Sequence, residues 1–221
     1  DGFGSAWAAW KHFSQLPEVK AGELAVEYIP GNHGEVPDGC EGAQVYLVDF
    51  SYRREVLESL LSVVDKVVIL DHHASAYDDL LGLDETHDNL TMLFDMNRSG
   101  AVITWQYFHT APVPDILQYV QDRDLWHFAL PNSKEVTAAM SSYSFEFERW
   151  NDWYECDEAI AMLAKEGKTI NRYRQQLIEF YKTRAVIGDI AGYQVPIVNS
   201  PTTINSELLN ELAEGYPFAA G

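Results

Sequence analysis

The chain has 221 residues, 47% of them apolar, which suits one large domain or a domain and a half and excludes disorder as the default state. Acidic residues outnumber basic ones by 34 to 15, a net charge of −19; this argues against long duplex DNA as a ligand, because such proteins draw affinity from basic surfaces that release phosphate counterions. No apolar run approaches the roughly 20 residues of a bilayer span, and two distant cysteines without CxxC spacing, Cys40 and Cys156, exclude a disulfide framework and a thiolate zinc site and point to a reducing, cytoplasmic compartment.

Asp1-Gly2-Phe3-Gly4-Ser5-Ala6-Trp7 predicts a tight turn running into a helix, the two glycines permitting a sharp backbone path and the strand that should precede it lying outside the sequence. Val45–Val48 is a short apolar run of strand type that ends abruptly at Asp49. From Ser51, a candidate N-cap, to Val64, apolar residues recur at helical spacing. Val67–Leu70 is a second apolar run, ending at Asp71. Strand, helix and strand of these lengths form a βαβ unit, and the apolar runs suit a parallel sheet buried on both faces. The predicted class is α/β, a mainly parallel sheet flanked by helices.

Leu90–Phe94 reads as a further strand and Gly100–His109 as a helix capped by Ser99. Pro112 and Pro114 break the pattern before a helix from Asp115 to Asp122. Glu158 to Arg184 has only Gly167 as a breaker and predicts one long helix or two in series. Ala185–Ile190 and Val195–Val198 suit strands, and Asn205–Glu214 a helix. The expected organisation is a catalytic domain over 1–156, a linker helix over 157–184, and over 185–221 the opening of a smaller second α/β domain.

Two acids at the carboxyl ends of neighbouring parallel strands face one crevice, the place where open α/β sheets bind ligands. Asp49 and Asp71 are so placed, and His72 and His73 follow directly. Close carboxylates require a cation or a shared proton, and carboxylates with imidazoles suit hard or borderline divalent ions such as Mn²⁺ or Mg²⁺. Each acid alone could equally be a helix N-cap; their coincidence with two histidines in one βαβ unit favours a site.

Asp71-His72-His73 after an apolar strand, preceded by Val48-Asp49-Phe50-Ser51-Tyr52, resembles the DHH phosphoesterase superfamily, which includes single-strand exonucleases, nanoRNA phosphatases and manganese-dependent pyrophosphatases. Asp1-Gly2-Phe3-Gly4-Ser5-Ala6-Trp7 resembles the end of that family's first motif, and Gln121-Asp122-Arg123-Asp124-Leu125-Trp126 its fourth, so four motifs stand in order from Asp1 to Trp126. The resemblance implies a hydrolase acting on a small phosphorylated substrate or short oligonucleotide, with two Mn²⁺ ions in the intact protein (Mg²⁺ the alternative). It implies that Asp49 bridges the ions, that Asp1, His72 and Asp122 complete the shell of one of them, that His73 contacts the scissile phosphate or assists the leaving group, and that Asp71 orients a ligand. Asp124 is the alternative to Asp122, which takes the motif position. Arg98 and Arg123 are candidates for gripping phosphate oxygens, with surface salt bridges as the bland alternative. The His and first Asp of the first motif, which would hold the other ion, lie upstream of Asp1.

Tyr143 to Tyr154 is the densest aromatic stretch and could stack nucleobases or pack the junction between domains. His12, His33, His87, His109 and His127 lack ligand spacing, and the acids Asp78, Asp79, Asp84, Glu85 and Asp88 suit a solvated loop. Two other function classes compete with a phosphohydrolase: a metal- or nucleotide-binding module without turnover, and a phosphoacceptor signalling domain, which also gathers strand-end aspartates but leaves His72 and His73 without a role.

Overall fold

Three of the apolar runs become a parallel sheet. β1 (Gln44–Val48), β2 (Lys66–Asp71) and β3 (Leu90–Phe94) lie in the order β1-β2-β3, with Val45 opposite Val67 and Val67 opposite Leu90. They are seen in a computed structural model that describes residues 1–34 and 36–221. Val67, Val68, Ile69 and Leu70 of the central strand are wholly buried because both faces of the sheet are covered. On one face Val67 and Ile69 pack with Leu57, Leu60 and Leu61 of α3 (Arg54–Leu61) and with Leu80 of α4 (Ala74–Leu80). On the other, Val68 and Leu70 meet Ile103 of α5 (Gly100–Phe108). The protein is α/β, with helices flanking this sheet.

Local expectations differ from the structure at several element ends. Helix α3 starts at Arg54 rather than at Ser51, and its first-turn amide is satisfied from a distance, by Asp79 Oδ2 accepting from Arg54 N–H at 2.9 Å; Ser51 is spent elsewhere, as described below. At the start of the chain there is no sharp turn: α1 (Gly2–Phe13) is helical from Gly2 onward. Its glycines serve close approach instead. A methyl at Gly4 would lie 3.1 Å from Ala101 Cβ of α5, the helix against which α1 stacks Trp7 on Trp105 with ring centres 5.7 Å apart.

Helix α6 (Asp115–Asp124) runs two residues past the expected end, and three further helices had no clear sequence signal: α2 (Pro17–Lys20), α7 (Ser133–Met140) and α8 (Phe147–Glu155). The aromatic stretch lies on and before α8 and packs against α1. Phe3 stacks on Phe145 and Phe147, both at 5.0 Å, and Trp150 is buried beside Trp7. Trp150 is therefore core of this unit, whereas Phe145 is 64% exposed.

The described residues form two compact units, Asp1–Ser133 with Tyr143–Met162, and Lys134–Ser142 with Leu163–Gly221. Most of α9 (Ala159–Lys182), a single helix of 24 residues, belongs to the second. Gly167 marks a crossing point there: a methyl would fall 1.8 Å from the Glu135 carbonyl oxygen. The unit also holds most of α7 and an antiparallel hairpin, β4 (Val186–Ile190) and β5 (Tyr193–Ile197), followed by α10 (Thr202–Leu212). The two-residue turn places Ala191 (φ 54°) and Gly192 (φ 86°) in the left-handed region, the conformation that matches hairpin twist. Ile178, Val198, Ile204 and Leu208 form its core. Among the described residues no helix is long and apolar enough to cross a membrane.

His109 gives the first unit a pH dependence of known sign. Its ring stacks on Trp105 at 3.9 Å, Nε2–H donates to the Ala8 carbonyl of α1 at 2.9 Å, and burial lowers its pKa. A depressed pKa contributes stability that is present above the unfolded value of about 6.5 and is lost as pH falls through the folded one. Between pH 7.5 and 5.5, wild type should lose more unfolding free energy in urea than His109→Phe, which keeps the stack without the titration. Equal losses would show that His109 does not carry this dependence.

Candidate metal centre

The carboxyl edge of the sheet gathers side chains from four separate segments. Asp49 follows β1 and Asp71 ends β2, so the parallel register brings them side by side; Asp49 N–H donates to the Leu70 carbonyl at 2.9 Å. His72 follows β2, Asp1 precedes α1, and Asp124 is the last residue of α6. His72 Nε2 is the point on which they converge, 3.2 Å from Asp49 Oδ1, 3.4 Å from Asp124 Oδ2 and 3.5 Å from Asp1 Oδ2.

Asp49 is held under two constraints. Its backbone is left-handed, with φ 53°, a conformation uncommon outside glycine and best tolerated by Asn and Asp. Its Oδ1 is buried and has no hydrogen-bond partner among the described residues. The 3.2 Å approach to His72 is thus a charge contact without the alignment of a hydrogen bond. Gly100, at the first position of α5, makes the arrangement possible: a methyl there would lie 2.5 Å from Asp49 Cβ and Oδ1 and 2.8 Å from its Cα.

Asp1 is fixed by the amino end of the same helix. Its Oδ2 accepts from Gly100 N–H at 2.8 Å and its Oδ1 from Ala101 N–H at 3.0 Å, which leaves a lone pair on each oxygen. Ser99 caps the helix as expected, its hydroxyl accepting from Val102 N–H at 3.4 Å.

The charges do not balance. Asp49 chiefly, then Asp124, raise the pKa of His72 against the opposing effect of burial, while burial raises that of Asp124 against the attraction of His72. Three carboxylates converge on one imidazole, and close like charges favour a bound cation. Three carboxylate oxygens and one imidazole nitrogen are a suitable donor set for a hard or borderline divalent ion. Asp49, Asp71, His72 and His73 offer ligand atoms within 4.8 Å of one another, as do Asp1, His72 and Asp124. The residues present fit the group that the sequence implies, with the unsatisfied Asp49 oxygen as the clearest sign.

Asp71 is wholly buried and fully engaged. Its Oδ2 accepts from Ser51 Oγ at 2.6 Å, and its Oδ1 accepts from His72 N–H at 2.7 Å and from His73 Nδ1–H at 2.6 Å. This fixes the ring of His73, whose side chain is 55% exposed, and leaves its Nε2 outside that hydrogen bond.

Asp1, Asp49, Asp71, His72 and His73 thus come together; Asp122, Arg98 and Arg123 do not join them. Asp122 turns the other way. Its carboxylate accepts from Ala129 N–H at 2.9 Å and Leu130 N–H at 3.2 Å, and hydrogen bonds from these amides and Ser133 hold its pKa low although burial opposes them. Positions two apart on a helix lie about 200° apart around its axis, so only one of Asp122 and Asp124 can face His72, and it is Asp124. Arg98 pairs with Asp95 at 2.7 Å and bonds Gln106. Arg123 lies over the rings of Trp126 and Phe128, at 4.4 and 5.5 Å. Sequence reasoning missed Ser51 and Gly100 as parts of this centre. A glycine at the first helical position, where almost any residue is allowed, was the available signal for the second.

No family model matches the chain. An uncharacterized protein of Acanthamoeba polyphaga mimivirus is 30% identical over 99% of this chain and 53% of its own length, so the chain spans about half of that relative. An uncharacterized protein of Helicobacter pylori G27, known from a crystal structure, aligns with a TM-score of 0.46 and 13% identity over 98% of this chain and 77% of its own.

Proposed function

We propose that this chain is the catalytic part of a divalent-metal-dependent phosphoesterase acting on a small phosphoester or phosphoanhydride, with a nucleotide or short oligonucleotide as the favoured class. The observation that supports this most is the buried, unsatisfied Oδ1 of Asp49, held at positive φ among Asp1, Asp124 and His72. Strained backbone and an unpaired buried polar atom are costly and collect at functional sites. The order of the DHH-like motifs supports the same reading.

In it, Asp49, Asp1, Asp124 and His72 hold the cation. A bound Mn²⁺ or Mg²⁺ would supply Lewis acidity, a lowered pKa for water and positive charge against the phosphate. The chain's own residues do the rest. Asp71, tied by Ser51 and two backbone amides, fixes the tautomer and orientation of His73. His73 Nε2 then binds a phosphate oxygen, or, when protonated, gives its proton to the leaving oxygen.

Mn²⁺ titrated into the metal-stripped chain with a panel of a dinucleotide, a nucleoside monophosphate and pyrophosphate should produce phosphate-ester or anhydride cleavage that EDTA abolishes. No turnover of any of them with Mn²⁺ or Mg²⁺, or turnover indifferent to EDTA, would overturn the proposal.

A further inference from the structure

The segment that follows Asp124 is built unlike an ordinary loop. Two bulky residues within three positions, Trp126 (φ 59°) and Phe128 (φ 49°), are left-handed, which costs energy for side chains of this size. One residue keeps them there. The Asp122 carbonyl accepts from His127 N–H at 2.9 Å and Phe128 N–H at 3.2 Å, while its carboxylate accepts from the next two amides. The outcome is a fixed platform. The Trp126 and Phe128 rings meet edge to face at 5.0 Å, and the Arg123 guanidinium lies over the indole at 4.4 Å. Trp126 is nevertheless 40% exposed.

A lone exposed aromatic needs no explanation. This one is braced by a cation, locked in a strained backbone and two residues along the chain from Asp124, whose carboxylate is 3.4 Å from His72. Consecutive Cα atoms are about 3.8 Å apart, so the platform starts within ~8 Å of a ligand of the candidate metal centre. A nucleoside attached to a phosphate held at that centre is long enough to span this Cα–Cα separation of Asp124 and Trp126. Net charge also matters: with −19 overall, affinity for an anionic substrate requires more than surface electrostatics, and ring stacking adds about 1–3 kcal/mol per base without any charge.

We propose that Trp126 is the base-stacking residue of this site, so that the substrate is a phosphate ester carrying an aromatic heterocycle, a nucleotide, with Arg123, Phe128 and Asp122 positioning the indole. This rests on the phosphoesterase reading for the phosphate and adds the recognition of the base. It also gives Arg123 a part distinct from gripping phosphate oxygens.

The test is equilibrium binding, which does not depend on turnover. With Mn²⁺ present, calorimetry compares adenosine 5′-monophosphate with ribose 5-phosphate, which has the phosphate and sugar but no base. Wild type should bind the nucleotide about tenfold or more tightly, a factor equivalent to ~1.4 kcal/mol. Trp126→Ala should remove that preference and Trp126→Phe should retain most of it, with thermal melts showing both variants folded. Equal affinities in wild type, or a preference that survives Trp126→Ala, would overturn the proposal. If the preference depends on Trp126 but no phosphoester in the panel is cleaved, the stacking role stands and the phosphoesterase reading falls.

Discussion

Asp49→Asn is expected to abolish metal binding and metal-dependent turnover together, while leaving the metal-free protein at least as stable as wild type. The two halves of this expectation have one cause. Asn tolerates the left-handed backbone that position 49 adopts at φ 53°, so the local chain path survives the change. What disappears is a negative charge, one of three carboxylates crowded around a single imidazole. In EDTA, removing that repulsion costs the fold nothing. With Mn²⁺, the variant lacks the anionic ligand whose Oδ1 has no hydrogen-bond partner among the described residues. Loss of an outer-sphere partner alone typically lowers metal affinity or activity about 10–100-fold, so loss of this ligand should exceed ~10²-fold. Thermal melts with and without Mn²⁺ give the readout: a cation at 100 times its Kd stabilises wild type by about 2.7 kcal/mol, and the variant should gain nothing. An Asp49→Asn protein that melts higher on adding Mn²⁺ would show that the ion binds elsewhere.

The second large effect is at Gly100. Away from this site, alanine in place of a helical glycine gains about 0.8–1.0 kcal/mol in propensity. Here the added methyl would meet Asp49 Cβ and Oδ1 at 2.5 Å and Asp49 Cα at 2.8 Å. A rotamer change relieves the Oδ1 contact but not the other two, because Cβ and Cα move only with the backbone. Overpacking of this kind costs about 1–3 kcal/mol, so it outweighs the propensity gain and the sign is destabilising. The same shift would displace Asp49 and the Gly100 and Ala101 amides that hold Asp1, so Mn²⁺ affinity should fall with stability. Urea melts in EDTA and Mn²⁺ calorimetry on Gly100→Ala check both parts. Gly2→Ala is the control, since its methyl would meet Asp49 Oδ2 at an ordinary 3.5 Å. A Gly100→Ala protein as stable as wild type, with unchanged Mn²⁺ affinity, would contradict the geometry.

What the sequence made legible was whatever depends on short-range pattern. Buried parallel strands announce themselves as unbroken apolar runs, and Val67–Leu70 is one because both of its faces are covered. A strand end fixes where Asp49, Asp71 and His72 must meet, since the register leaves no other option. Ser99 lay in plain view as a cap. The choice between Asp122 and Asp124 was not legible, because it depends on the rotation of α6 about its own axis, which long-range packing decides. Ser51 misled for a related reason: a serine before a helical pattern is a common cap, and only the fold shows that Asp79 serves that amide while Ser51 binds the buried Asp71. The glycines of α1 were misplaced in the same way. Their value lies in what α1 packs against, Ala101 for Gly4 and Asp49 for Gly2, and neither neighbour is near in sequence.

The most direct test is to locate the cation. Crystals grown with Mn²⁺ and measured at its absorption edge should show an anomalous peak in coordination contact with Asp49 Oδ1, His72 Nε2 and the carboxylates of Asp1 and Asp124, absent from crystals treated with EDTA. Well-ordered crystals of the Mn²⁺-saturated protein with no peak among these four side chains, or with a peak only at some other place, would contradict the account.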